Sequence, residues 1–121
     1  RVLLVDDEAS VLRFMHELLQ GWGLEVHSTR HPHEALAWFE RSPRDYHLVL
    51  TDHTMPGMTG LDLARQVGRA VPVLLYSGYT DAVDEEAARA AGVVHLLHKP
   101  VEPLELRQAL RACLQQTKKG S

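Results

Sequence analysis

Apolar residues along this chain follow two patterns that alternate from one end to the other. Short runs rich in apolar or β-branched residues lie at 1–5, 25–29, 48–50, 72–76 and 93–97. Runs of this length, ended by turn residues, are typical of strands buried on both faces of a parallel sheet. We therefore predict five strands.

Between the strands, apolar side chains recur every three or four residues, as they do along one face of an amphipathic helix. This spacing predicts five helices, at about 11–21, 32–42, 61–67, 81–91 and 106–114. Proline opens the second helix, and glycine follows the first, third and fourth, as is common at helix ends. Strict alternation of strand and helix predicts an α/β fold with one parallel sheet and helices on both faces.

Composition narrows the class of protein. The 121 residues suit a single domain, and an apolar content of 45% excludes general disorder. A net charge of −3 argues against a nucleic-acid surface. No apolar run approaches the ~18 residues of a membrane helix, and no leader-like segment opens the chain. A single cysteine, Cys113, suits a reducing compartment, so we expect a cytoplasmic location.

The ends of the predicted strands carry the candidate chemistry. The first strand runs into Asp6 and Asp7, the third into Asp52, the fourth into Ser77 and the fifth into Lys99. In a parallel sheet these strand ends share one edge, where open α/β sheets place their sites. Taken alone, Asp52 is explained equally well as a cap for the following turn. The other strand ends favour a functional role.

Three carboxylates at one edge repel one another unless a cation is present. Hard oxygen ligands with open positions suit Mg²⁺. A lysine and a hydroxyl nearby provide the charge neutralisation and hydrogen bonding that a transferred phosphoryl group needs. The pattern therefore indicates a phosphoryl-accepting carboxylate with its metal.

Four motifs of the chain resemble those of the receiver domains of two-component response regulators. They are Val5-Asp6-Asp7-Glu8, Asp52-x-x-Met55-Pro56-Gly57-x-x-Gly60, Ser77-Gly78 and Lys99-Pro100. The similarity covers residues 1–116 and leaves 117–121 as a polar C-terminal tail. It implies a flavodoxin-like, doubly wound five-stranded parallel sheet of order 2-1-3-4-5 with five helices, in a single domain.

The resemblance implies a metal site for Mg²⁺ or Mn²⁺. Asp7 would bind the ion directly, together with Asp52, and Asp6 would bind it largely through water. The main-chain carbonyl of Thr54 would complete the ligands from the protein.

It also implies a phosphorylation switch. Asp52 would accept a phosphoryl group from a phosphohistidine of a histidine kinase or a histidine phosphotransfer domain. The Ser77 hydroxyl would follow that group, and Lys99 would pair with it, aimed inward by a cis peptide bond to Pro100. The signal would pass through the fourth helix, fifth strand and fifth helix to an output domain or target protein, with a phosphorylation-dependent dimer as one outcome.

Two positions depart from the family pattern. Leu96 occupies the place of an aromatic residue that turns inward on activation, which puts the aromatic version of the switch in doubt. Tyr79, two residues after Ser77, is larger than the residue that many receivers have at this position. With Thr54 and Gly78 it resembles the positions that tune water access, so we expect slow self-dephosphorylation. The alternative is that Tyr79 faces solvent and contacts a partner.

The histidines carry less weight. His31 and His33 have no cysteine or carboxylate at ligand spacing, so solvated or capping roles are favoured over metal binding. His53 and His98 adjoin site residues, but strand alternation turns each side chain away from its neighbour's.

Two other function classes remain open. An aspartyl-phosphate hydrolase commonly has a second acid two residues after its nucleophile, where this chain has Thr54. An unphosphorylated interaction module of the same fold would not need the intact set of acids, hydroxyl and lysine. The output is open too, because we expect either a stand-alone receiver or a part of a larger regulator or hybrid histidine kinase.

Overall fold

The computed structural model describes residues 1–78 and 83–119, with side chains as far as Leu114 in the last helix. The strands are β1 (Val2–Val5), β2 (Val26–Thr29), β3 (Leu48–Asp52), β4 (Val73–Ser77) and β5 (Val93–His98). The helices are α1 (Ala9–Gly21), α2 (Pro32–Arg41), α3 (Gly60–Val67), α4 (Glu85–Ala90) and α5 (Pro103–Lys119). None of the described helices is long and apolar enough to cross a membrane.

The five strands form one sheet of order β2-β1-β3-β4-β5, and every neighbouring pair is parallel. The predicted fold class, alternation and strand order are therefore confirmed. β1, β3 and β4 are buried along their whole length because helices cover both faces. This explains why their sequences are almost entirely apolar up to the strand ends.

Alternate residues of each strand face different helix layers. Leu4, Leu50 and Leu74 pack with α1 and α5, in a core completed by Met15, Leu19, Leu106 and Leu110. Leu3, Val49 and Leu75 pack with α2, α3 and α4, in a core completed by Ala35, Phe39, Leu63 and Ala88. This alternation decides which polar residues meet at the end of the sheet.

The boundaries of α1, α5 and α4 differ from the sequence prediction. α1 begins at Ala9, two residues before its first periodic apolar side chain. The main-chain carbonyl of Glu8 already accepts a hydrogen bond from the Leu12 N–H at 2.9 Å. α5 begins at Pro103 and continues to Lys119, so it includes part of the expected polar tail. A short 3₁₀ turn at Pro43–Asp45 was not predicted.

The predicted start of the fourth helix at 81 was wrong. Asp84 has extended backbone angles, and its side chain accepts a hydrogen bond from the Glu86 N–H at 3.0 Å. It is therefore the N-cap of a helix that begins at Glu85. The remaining part of the predicted range, 81 and 82, lies outside the described residues.

Candidate functional site

Strand alternation carries four polar side chains to the α1–α5 side of the sheet edge. Asp6 lies two residues after Leu4, Asp52 two after Leu50, and Tyr76 two after Leu74. Side chains two residues apart share a face of the sheet. By the same count Lys99 follows Leu97. The apolar strands therefore deliver two acids, a phenol and an ammonium to one place.

Asp6, Asp7 and Asp52 come together at the strand ends. Each offers a carboxylate oxygen within 4.8 Å of the others, with Asp6 and Asp52 buried and Asp7 half-buried. Three negative charges this close, in a partly desolvated place, fit a hard divalent cation such as Mg²⁺. Among residues 1–78 and 83–119, no other cluster of three acidic, histidine or cysteine side chains could share an ion.

Within the part of the chain that the structure describes, the Asp52 carboxylate has one direct positive neighbour. Lys99 Nζ lies 3.1 Å from Asp52 Oδ1, off the direction of a good hydrogen bond, so the contact is an ion pair. Burial and the charge of Asp6 raise the pKa of Asp52 to about 6, although Lys99 opposes the rise. Burial lowers the pKa of Lys99, but the carboxylates of Asp52, Asp6 and Glu8 together outweigh it and the net shift is upward.

Asp6 is held from both sides. Its Oδ1 accepts from the Glu8 N–H at 2.9 Å, and its Oδ2 accepts from the Tyr76 hydroxyl at 2.7 Å. Burial raises the pKa of Asp6, and these two donors oppose the rise. Burial, followed by the Asp6 charge, raises the pKa of Tyr76 above its usual value. The hydroxyl is therefore a donor at neutral pH.

Tyr76 is the site residue that sequence reasoning missed, because it was counted as part of an apolar run. A signal was available. Tyr76 is the residue paired with Asp52 across β3 and β4, and both lie on the same face as Asp6. Counting by twos from the strand cores would have placed its hydroxyl among the acids.

Ser77 and Lys99 are joined through the backbone. Ser77 is buried at the end of β4, and its carbonyl accepts from the Lys99 N–H at 2.8 Å. The Lys99–Pro100 peptide bond is cis, as expected. The strand ends thus place both residues at the predicted edge.

The expected tuning and switch residues are only partly described. Thr54 is exposed in the loop after β3, and Gly78 is partly buried directly after β4. Leu96 is partly buried against the α2–α4 layer, on the face opposite Tyr76. Tyr79 lies outside the described residues, so its role in water access stays a prediction.

The loop after β3 requires glycine at two positions. Gly57 has a φ of +83°, which L side chains rarely adopt. A Cβ on Gly60 would lie 2.5 Å from the Asp52 carbonyl oxygen and 2.3 Å from Leu75 Cδ1. The two glycines therefore let the chain turn and α3 start directly against the end of β3.

The histidines take no part in the acidic cluster. His16, His27 and His47 make hydrogen bonds to Ser28, Tyr46 and the N-terminal amino group at 2.7, 3.1 and 2.8 Å. His98 is exposed, and His53 Nδ1 is buried without a hydrogen-bond partner among the described residues.

Comparison with known proteins identifies the family of this chain. A family model described as the response regulator receiver domain matches residues 2–111. This chain belongs to that family. Receiver domains are regulatory phosphoacceptor domains of two-component systems, and they interact with histidine kinases and output domains.

Curated relatives are longer than this chain. It is 34% identical over 121 residues to the cyclic di-GMP phosphodiesterase response regulator RpfG of Xanthomonas campestris, covering 94% of this receiver and 32% of RpfG. It is 33% identical over 116 residues to the DNA-binding response regulator MtrA of Mycobacterium tuberculosis, covering 94% of this receiver and 50% of MtrA. The receiver thus spans a third to a half of the length of these relatives.

Solved structures share the fold. A response regulator receiver domain from Clostridium thermocellum superposes with a TM-score of 0.93 at 27% identity, covering 99% of this receiver and 98% of that chain. A CheY-like receiver from Methanospirillum hungatei gives a TM-score of 0.91 at 26% identity, with 100% and 98% covered.

Proposed function

We propose that Asp52 accepts a phosphoryl group from a phosphohistidine donor and that its phosphorylation switches this receiver. The observation that carries the proposal is the placement of Asp52: a buried carboxylate 3.1 Å from Lys99 and next to Asp6 and Asp7. Among the described residues, Asp52 is the acid of this cluster that forms an ion pair with a lysine.

The proposed transfer uses groups already in place. With a pKa of about 6, Asp52 is mostly ionised at neutral pH and its oxygen can donate an electron pair to phosphorus. As that O–P bond forms, the P–N bond to the imidazole breaks, and the nitrogen keeps the pair and takes a proton from water. Lys99 lies where it would neutralise charge on the transferred group.

The acidic cluster would hold Mg²⁺ or Mn²⁺ through Asp7, Asp52, a water on Asp6 and the Thr54 carbonyl. Such an ion would supply charge neutralisation at the phosphoryl oxygens. Without it, the three carboxylates would repel the incoming phosphoryl group.

Intact-mass analysis after treatment with acetyl phosphate tests the proposal. Wild type should gain one phosphoryl group with Mg²⁺ and none with EDTA, and Asp52→Ala should gain none. Asp62→Ala, which removes an exposed acid at the start of α3, is the matched control and should be modified like wild type. Equal modification of wild type and Asp52→Ala would remove Asp52 from the role.

We further propose that the switch acts on the face built from α4, β5 and α5. α4 has six residues, of which only Ala88 is buried, so little apolar area holds it. Two states of such a helix need differ by only a few kcal/mol. Movement of the Ser77 hydroxyl toward the phosphoryl group would draw the start of α4 with it.

Amide NMR shifts on adding beryllofluoride as a phosphoryl mimic test this face. We expect shifts at Val94, His95 and Leu104, which are exposed in β5 and α5, and none in Asp52→Ala. Shifts confined to the residues around the acids would contradict the coupling.

The remaining expectations extend this proposal. Residues 1–116 would form the receiver unit, acting in the cytoplasm with a histidine kinase or a histidine phosphotransfer domain as donor. Its target would be an output domain or a separate protein, reached with or without a phosphorylation-dependent dimer.

A further inference from the structure

We propose that Tyr76 is a positioning residue for the metal site, and that its hydroxyl fixes the Asp6 carboxylate in the orientation that cation binding needs. The inference rests on the proposed function, because it concerns the same acidic cluster. It adds a residue that none of the four receiver motifs contains.

The hydrogen bond spans the centre of the sheet. Asp6 follows β1 and Tyr76 lies in β4, and β3 runs between these two strands. The 2.7 Å bond therefore passes over the end of β3, where Asp52 is the residue paired with Tyr76. Asp6 and Tyr76 are both fully buried. Loss of the hydroxyl would therefore remove a hydrogen bond from an acid of the cluster.

Two donors fix the plane of the Asp6 carboxylate. The Glu8 N–H binds Oδ1 at 2.9 Å, and the Tyr76 hydroxyl binds Oδ2 at 2.7 Å. With one donor on each oxygen, the group cannot rotate about its Cβ–Cγ bond without breaking a charge-assisted hydrogen bond. Each oxygen keeps a lone pair for a metal or its water.

The ring and the hydroxyl of Tyr76 contact different groups. Lys99 Nζ lies 5.7 Å from the ring centroid, within the range of a cation–π contact. The ring also lines a mostly apolar cavity of about 420 Å³ beside Phe14, Met15 and Val101. Phenylalanine would keep both of these contacts, so Tyr76→Phe removes the hydrogen bond to Asp6 alone.

Loss of the hydroxyl should weaken metal binding. Hydrogen-bonding partners of metal ligands typically change metal affinity by about 10–100-fold when removed. Asp6 is expected to bind the ion largely through water and is one of three acids, so we expect about a tenfold loss. The test can also give the opposite result. If the main effect of the hydroxyl were to draw electron density from Oδ2 of Asp6, its removal would strengthen metal binding.

Titration with Mn²⁺, with free Mn²⁺ measured by electron paramagnetic resonance, separates these cases without any phosphoryl transfer. Tyr76→Phe should bind about tenfold more weakly than wild type. Tyr46→Phe is the matched control, because it removes a hydroxyl that contacts His27 at 3.1 Å, and it should bind as wild type does. Equal or tighter binding by Tyr76→Phe would overturn the inference.

The two proposals fail differently. If wild type binds no Mn²⁺ saturably, the proposed metal site fails and the role of Tyr76 fails with it. If wild type and Tyr76→Phe bind equally, only the role of Tyr76 fails. Should Tyr76→Phe not fold, the hydroxyl proton of Tyr76 in wild type provides the readout. Its NMR signal should move during a Mg²⁺ titration, and a signal that stays fixed while Mg²⁺ binds would refute the inference.

Discussion

In EDTA near neutral pH, Asp52→Asn should raise the free energy of unfolding of this receiver by about 2 kcal/mol. Burial and the Asp6 charge raise the pKa of Asp52 from 3.8 to about 6, so ionisation is harder in the folded state than in the unfolded chain. That difference corresponds to about 3 kcal/mol of folding stability that wild type loses at pH values above both pKa values. We expect about 2 kcal/mol, because Asp7 and Lys99 are only half-buried and leave the site partly open to solvent, which reduces the cost of burying the Asp52 charge.

The sign of this effect fixes its pH window. A raised pKa contributes stability that is fully present below the unfolded value and is lost as pH rises through the folded value. The advantage of Asp52→Asn should therefore shrink from neutral pH toward about pH 4. Saturating Mg²⁺ should reverse it, because an ion bound only by the folded wild type stabilises that protein.

Urea unfolding at several pH values measures this directly. Asp62→Asn is the matched control with the opposite sign. Hydrogen bonds with Thr59, in the capping box that starts α3, lower the pKa of Asp62, so this variant should be less stable than wild type near neutral pH. A wild type more stable than Asp52→Asn in EDTA would mean that Lys99 outweighs burial and repulsion at Asp52.

Sequence alone predicted the sheet and the acids for one physical reason. Buried parallel strands must be apolar on both faces, so a carboxylate directly after such a strand marks both its end and the edge it faces. Asp6 and Asp52 were found in this way. Lys99 follows β5, a partly exposed edge strand, and was found because it ends at the same edge of the sheet. The order of the strands came from the resemblance, since apolar runs do not say which strands are neighbours.

The sequence did not predict features that depend on contacts between elements. Tyr76 has the apolar body of a core residue, and its polar role is visible only once β1 and β4 lie on either side of β3. The start of α4 depends on whether Asp84 caps the helix or continues it, and the alanine-rich sequence permits both. Helix propensity is only a weak guide to such a boundary, and α4 buries too little apolar surface for packing to be read from its sequence.

Gly60→Ala should cost about 3 kcal/mol of folding free energy and should displace the phosphoacceptor. The new Cβ would lie 2.5 Å from the Asp52 carbonyl oxygen and 3.0 Å from His53 Cα, both in backbone that cannot move cheaply. Its closest contact, 2.3 Å to Leu75 Cδ1, is with a side chain that is itself fully buried. Overpacking a close-packed interior typically costs about 1–3 kcal/mol, and a clash with backbone lies at the upper end.

Gly21→Ala makes the same substitution in the last residue of α1, where an added Cβ meets nothing within 4 Å. Alanine is favoured over glycine in a helix by up to about 1 kcal/mol, so this control should be neutral or stabilising. Because α3 must move away from the end of β3 in Gly60→Ala, its rate of modification by acetyl phosphate should fall as well, and that of Gly21→Ala should not. A Gly60→Ala protein as stable as wild type would show that the loop after β3 absorbs a methyl group without moving Asp52.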